Sequence, residues 1–306
     1  MGDFIQHNSS HCNFTSNNSW VVLSSIEQSI KHKIEAVGTP LKDWNIQINY
    51  GIKTGCNEAF IINRNKREEI LNACITEDER IATNELIRPI LRGRDIKRYG
   101  YDFADLWLIA TFPSKHYDID QFPALKDYLL SFGKYRLEQT GKTYFIDNKR
   151  IISRKKTNNK WFETQDSINY WEDFSSQKII YPNMTKFLPF FYDDKGFMTN
   201  QKCFIITGES ISYLTAFLNS SLFKFCFRNS FPELLGGTRE LSKIFFDKIP
   251  VLKISHEINM RFKYYVSDIQ KEFTKEKAIE IDKLIFELYQ LNEKEKQEIG
   301  FIDIDI

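Results

Sequence analysis

The sequence predicts a mixed α+β fold, and three observations carry that expectation. Apolar residues alternate over Trp44, Ile46, Ile48 and Tyr50, and short β-branched and aromatic runs recur further along the chain. Towards the C-terminus the spacing changes: Ile258, Phe262, Tyr265, Ile269 and Phe273 follow one another at steps of four, three, four and four, which is helical. Hydrophobic residues make up 42% of the chain and aromatics 15%, including 26 Phe and 14 Tyr, enough for a sizeable core.

The elements follow in order. Residues 1–19 are rich in Asn and Ser and read as a tail. A helix is expected over 24–36, with Ser24 or Ser25 as N-cap and Glu27 close behind, and Gly38-Thr39-Pro40 stopping it. The alternation over 44–52 predicts a half-buried strand, Lys53 to Asn57 a turn, and 59–62 the returning strand of a hairpin. A helix over 66–73, a buried strand over 106–111 and a helical stretch over 122–139 come next. Strands are expected at 178–181, 189–193 and 203–206, and the turn chemistry of Asp193-Asp194-Lys195-Gly196 leads into Phe197. An apolar helix over 210–226, a loop over 232–237 and a helical segment over 239–246 precede two amphipathic helices at 256–273 and 278–291, which suit a helical hairpin. The domain division expected is an N-terminal tail and linker helix at 1–40, a mixed α and β domain at 41–252 and a C-terminal helical region at 253–306.

Lys and Arg number 42 against 41 Asp and Glu, but the balance conceals an asymmetry. From residue 267 to 306 there are eleven acids and six bases, which leaves the preceding part net basic. No apolar run approaches the roughly 20 residues that span a bilayer. The N-terminus lacks the charged and apolar regions of a signal peptide and matches a myristoylation signal poorly. The expectation is a cytoplasmic protein with no membrane partner. The five cysteines (Cys12, Cys56, Cys74, Cys203 and Cys226) are odd in number and widely spaced, so reduced thiols are expected in place of a disulfide framework. His7, His11 and Cys12 are the nearest approach to a metal-ligand cluster, and no metal site is expected from them.

The stretch from Lys149 to Trp161 holds six cations, a Thr, two Asn and a Trp without one carboxylate. Cations neutralise phosphates, Asn pairs with base edges and an indole face stacks, so this stretch is a candidate surface for nucleic acid; the alternative is a solvated loop. Catalytic signatures are missing: there is no nucleophile elbow, P-loop, dinucleotide fingerprint or zinc-protease helix, and no Asn/Asp-Pro-Pro-Tyr. Asp193-Asp194-Lys195 is the nearest approach to a nuclease carboxylate–lysine set, and a hairpin turn explains it better.

Five blocks, in order, resemble the TaqI-like C-terminal specificity domain of type IIG restriction–modification enzymes and of adenine methyltransferases in phage-defence systems. They are the run from Ile48 to Ile62 containing Lys53-Thr54-Gly55-Cys56-Asn57; Ile90 to Tyr99; Arg154 to Glu163 with Lys178 to Pro182; Leu218-Asn219-Ser220 with Gly236 to Lys243 and Lys248-Ile249-Pro250; and the helix from Ile281 to Leu291. The resemblance implies a target-recognition module for double-stranded DNA. It also implies a partner domain or subunit with methyltransferase and nuclease chemistry, where S-adenosylmethionine and Mg are expected; none is expected in this chain, which is read as non-catalytic. The chain starts about where the catalytic domain would end, and is read as an expressed fragment, a truncated gene product or a separate specificity subunit.

On that reading Lys53, Thr54, Gly55 and Asn57 sit at a hairpin tip within reach of DNA, and Arg94 and Lys97 bind phosphate while Asp95 pairs with Arg92 or Arg98. Arg154, Lys155, Lys156 and Lys160 hold phosphates, Asn158 and Asn159 read adenine, and Trp161 and Phe162 anchor the loop in the core. Gly236, Gly237 and Arg239 precede a helix whose N-terminus suits a phosphate, with Lys243 one turn on. The competing expectation is a protein-interaction module that docks on a methyltransferase and binds no DNA by itself.

Overall fold

In a computed structural model that describes residues 24–302, the first helix forms where its capping signal lies. Helix Ser25–Val37 is N-capped by Ser24: its side chain accepts the Glu27 amide, and the Glu27 carboxylate accepts the Ser24 amide in return. The Asn/Ser-rich residues 1–19, with His7, His11 and Cys12, lie outside the described residues.

The chain forms two compact units. One comprises residues 47–211, the other residues 24–46 with 212–302.

The 47–211 unit is built on two four-stranded sheets. In the first, the order is Phe191–Asp193, Lys178–Pro182, Cys203–Gly208, Ile46–Tyr50, and Lys178–Pro182 is antiparallel to both its neighbours. In the second, the order is Met198–Thr199, Ile87–Leu91, Leu106–Ile109, Ile61–Asn63. Apolar side chains of both sheets, among them Leu91, Leu108, Ile109, Ile180, Phe191 and Ile205, are buried in one cluster with Phe60, Leu125, Leu129 and Phe174. The hairpin expected between 44–52 and 59–62 does not form. Residues Asn57–Phe60 make one turn of helix, and Ile61–Asn63 pairs with Leu106–Ile109 instead. The helical stretch over 122–139 is interrupted: Pro123–Leu130 and Lys134–Leu137 are separated at Gly133, whose φ is +84°. A helix that the patterning overlooked, Glu77–Leu86, is capped by Thr76. The buried Glu79 carboxylate accepts the amides of Ile75 and Ala124, which ties this helix to Pro123–Leu130.

A fully buried ion pair sits in the first sheet. Lys178 and Asp193 face each other across paired strands, both with 0% side-chain exposure, and Lys178 also donates to the Phe174 carbonyl. Burial pushes the Lys178 ammonium below its usual pKa, and Asp193 opposes that shift. The Asp193 oxygens further accept the amides of Lys195 and Phe197, shaping the turn that leads into Met198–Thr199. That strand belongs to the second sheet, so the turn joins two sheets and does not close a hairpin. The carboxylate is thus engaged on both oxygens, by Lys178 and by the amides of Lys195 and Phe197. Lys178→Met is expected to lower the unfolding free energy by about 3–5 kcal/mol in urea denaturation, because it strands a buried charge, with partial recovery in Lys178→Met/Asp193→Asn.

In the other unit, Gly38–Pro40 pairs antiparallel with Pro250–Leu252. The apolar stretch 210–226 divides into helices Ile211–Asn219 and Ser221–Phe227. Asp282 accepts both the amide and the hydroxyl of Ser221, fixing the second of these on helix Lys275–Leu288. Helix His256–Lys271 packs against Lys275–Leu288 as the expected hairpin, burying Phe262, Val266 and Ile269 on one side and Ile281, Ile285 and Phe286 on the other. Phe273 falls beyond the helix end and is exposed, which departs from the periodicity. A further helix, Glu293–Ile299, is capped by Asn292, and its Glu295 carboxylate accepts Ser29 and Lys33 of the first helix. No helix among the described residues is long and apolar enough to cross a membrane.

Candidate nucleic-acid interface

The turn at 53–57 and the basic stretch are brought together within the 47–211 unit, and Arg154 joins them. Its Nε donates to the Leu137 carbonyl at 2.7 Å, Nη1 to the carbonyls of Thr54 at 2.7 Å and Glu163 at 2.8 Å, and Nη2 to that of Trp161 at 2.7 Å. The side chain is buried and packs over the Phe60 ring. Burial lowers its pKa to about 10, which leaves it cationic at neutral pH. Four of the five N–H donors of this buried guanidinium point at backbone carbonyls, which leaves little to offer a phosphate. The expectation that Arg154 is a phosphate ligand is therefore corrected: it pins the loop.

The rest of the loop is fixed in the same manner. Gln139, buried, donates to the carbonyls of Lys160 and Glu163 and accepts the Thr157 hydroxyl. Asn159 turns inward, and its amide donates to the carbonyls of Thr164 and Gln165. This corrects Asn159 as an adenine reader. Trp161 is half-buried edge-on against Phe162, which is in the core, as expected of anchors. What the loop displays to solvent is Lys155, Lys156, Asn158 and Lys160.

Against this loop lies the 53–57 turn. Thr54 is buried, and its hydroxyl donates to Asn57 Oδ1 at 2.7 Å while accepting the Cys56 amide. Thr54 is thus a brace and not a base reader, a second correction of the expected contacts. Gly55 has φ +75°, and a Cβ there would lie 2.6 Å from Gln165 Oε1 and 2.9 Å from Arg154 Cδ, so only glycine fits beneath the loop. The Lys53 carbonyl accepts the Gln165 amide, its side chain stays half-exposed, and Asn57 is exposed. Gly55, Asn57, Glu58, Arg136, Ile152 and Arg154 line an open cleft beside the turn.

Two other expected clusters are placed elsewhere. Asp95 pairs with Arg92 in a two-pronged contact, Nε to Oδ2 at 2.9 Å and Nη2 to Oδ1 at 2.8 Å. Arg94 is exposed, and Lys97 lies 3.6 Å from Asp102 in an exposed pair of little energetic weight. Gly237, Arg239 and Lys243 belong to the other unit. Gly236 and Gly237 both take positive φ, but Arg239 lies in the short strand Arg239–Glu240, and the helix starts only at Lys243 and lasts one turn. Arg239 is buried, donating to the Phe231 carbonyl and to Glu233, while Lys243 is exposed beside Asp247. The phosphate site expected at this helix start is corrected on both counts.

Sequence patterning also passed over a ribbon. Thr143–Ile146 and Lys149–Ile152 pair antiparallel around Asp147 and Asn148, both at positive φ. The available signal was the Asp-Asn pair between alternating residues, which suits a two-residue hairpin turn.

Comparison with known proteins agrees with this architecture. Residues 88–251 match the TaqI-like C-terminal specificity domain. The chain belongs to that family. Among solved structures it is similar to the type IIG restriction endonuclease BpuSI, at 14% identity over 87% of this chain and 34% of that one, with TM-score 0.51. It is also similar to the type IIL restriction–modification enzyme MmeI, solved in complex with DNA, at 11% identity over 85% of this chain and 35% of the other, with TM-score 0.53. The chain thus spans about a third of the length of these enzymes, and the likeness is one of fold.

Proposed function

We propose that this specificity domain recognises a sequence in double-stranded DNA and directs adenine methylation, cleavage or both by a catalytic domain or subunit. The observation that carries this is the loop at 153–166. Its backbone is held by Arg154, Gln139 and Asn159, while Lys155, Lys156, Asn158 and Lys160 face solvent. A loop pre-ordered in this way loses little entropy when it meets a phosphate backbone. Lys53 and Asn57 on the adjoining turn extend the same surface, and Arg94 and Lys97 are further phosphate contacts. S-adenosylmethionine and Mg belong to the catalytic partner in this reading.

A salt titration of binding to duplex DNA tests it. With about four to six phosphates contacted, log affinity should fall with log salt at a slope of about −4 to −5. No binding at low salt would sink the reading for the chain by itself, and would favour a module that only docks on a methyltransferase.

A further inference from the structure

Resting on that reading, we infer that the 143–152 ribbon is the element that enters the DNA, lying in the major groove with its Phe145–Ile152 face against the bases. The two faces of the ribbon differ. Thr143 pairs with Ile152 and Phe145 with Arg150, so these four side chains share one face. All four are exposed, Phe145 at 78% and Ile152 at 60%. The opposite face is anchored. The Tyr144 hydroxyl donates to Glu138 at 2.9 Å and contacts Thr140, its ring lies tilted against that of Tyr135, and Ile146 and Ile151 are half-buried. At the base, the Ser153 amide donates to the Lys142 carbonyl and the Gly141 amide to that of Arg154.

A solvent-facing Phe and Ile on an open two-stranded ribbon add nothing to the fold and invite aggregation. The surrounding charges say what covers them. Within residues 142–152, Lys142, Lys149 and Arg150 accompany one carboxylate, Asp147; nearby, Glu58 is paired with Arg136 and Glu138 accepts from Tyr144, and the exposed strand runs into Lys155 and Lys156, with Lys156 seated against Gly141. A polyanion that also offers apolar surface fits such a face. Duplex DNA does so in its major groove, through the thymine methyl groups, and that groove, about 12 Å wide, admits a two-stranded ribbon. Phe145 and Ile152 then touch thymine methyls, and Arg150 reaches a guanine edge or a phosphate.

The test uses the full chain and short duplexes enriched for binding from a randomised pool, synthesised with thymine or with uracil. Wild type is compared with Phe145→Ala/Ile152→Ala and with Ile75→Ala, a control at an equally exposed apolar residue of the same unit (85% exposed). Melting curves check that the variants are folded. The expected result is about tenfold weaker binding of the double variant to thymine DNA. Uracil should weaken wild type several-fold, leave the double variant unaffected, and Ile75→Ala should behave as wild type. If the double variant binds as wild type does, with a steep salt slope retained, the ribbon lies outside the groove while DNA recognition by the chain stands. Indifference of wild type to uracil, or an equal loss on both DNAs, overturns the methyl contact and with it the inference. If wild type binds no duplex, the functional reading fails first and the ribbon inference falls with it.

Discussion

Lys155→Glu/Lys156→Glu is expected to lower the affinity of the chain for duplex DNA by about a hundredfold at moderate salt, and to reduce the magnitude of the salt slope by about 2. Both side chains are exposed, and neither closes a salt bridge among the described residues. Each contributes one released counterion if it meets a phosphate, and reversal adds repulsion to the loss. The fold does not depend on them. The loop is held by groups that point inward, so thermal melting should stay within about 1–2 °C of wild type, as for other exposed substitutions. Filter binding or fluorescence anisotropy across a salt series measures both affinity and slope. Unchanged affinity with an unchanged slope would return the stretch to a solvated loop. A loss of affinity at constant slope would place the two lysines away from phosphate and their effect in local structure.

How much of this surface could be read from the sequence depends on which residue is asked. Ser24 with Glu27 located the first helix because the capping box is a local device, complete within four residues. The central strands at 178–182 and 203–208 were legible because buried strands are runs of β-branched and aromatic side chains. Thr76 with Glu79, and Asn292 with Glu295, carried the same capping signal as Ser24 and were overlooked because the helices behind them are polar. Asn57–Phe60 was misread since Ala59, Phe60 and Ile62 suit a strand as well as a buried turn of helix, and only the pairing of Ile61–Asn63 with Leu106–Ile109 decides. Arg154, Thr54 and Asn159 were illegible for a stronger reason. An arginine in a cationic run has one sequence appearance whether it faces phosphate or carbonyl oxygen. Its role is set by where residues 54, 137, 161 and 163 meet, and that is a property of the tertiary structure.

That convergence makes Arg154→Ala the substitution with the largest expected effect on stability, about 3–5 kcal/mol, visible as a drop in the urea midpoint. Four carbonyls lose their donor at once, and a buried acceptor left unmatched costs about 1–3 kcal/mol. The sum is not additive, because water entering from the cleft beside Gly55 and Ile152 can satisfy part of the deficit. Arg154→Lys separates the structural role from a phosphate role. An ammonium carries three donors on one nitrogen and cannot span carbonyls that the guanidinium reaches from three separate nitrogens. Lysine should therefore recover only a minor part of the stability. A phosphate ligand behaves in the opposite way: Arg to Lys would keep most of the DNA affinity, and Arg to Ala would leave stability untouched. DNA binding should fall in both variants in proportion to the fraction of loop that is no longer ordered, and the loss should shrink as temperature is lowered and the loop reforms. A fully stable Arg154→Ala with selectively weakened DNA binding would show that the guanidinium leaves its carbonyls to meet the duplex.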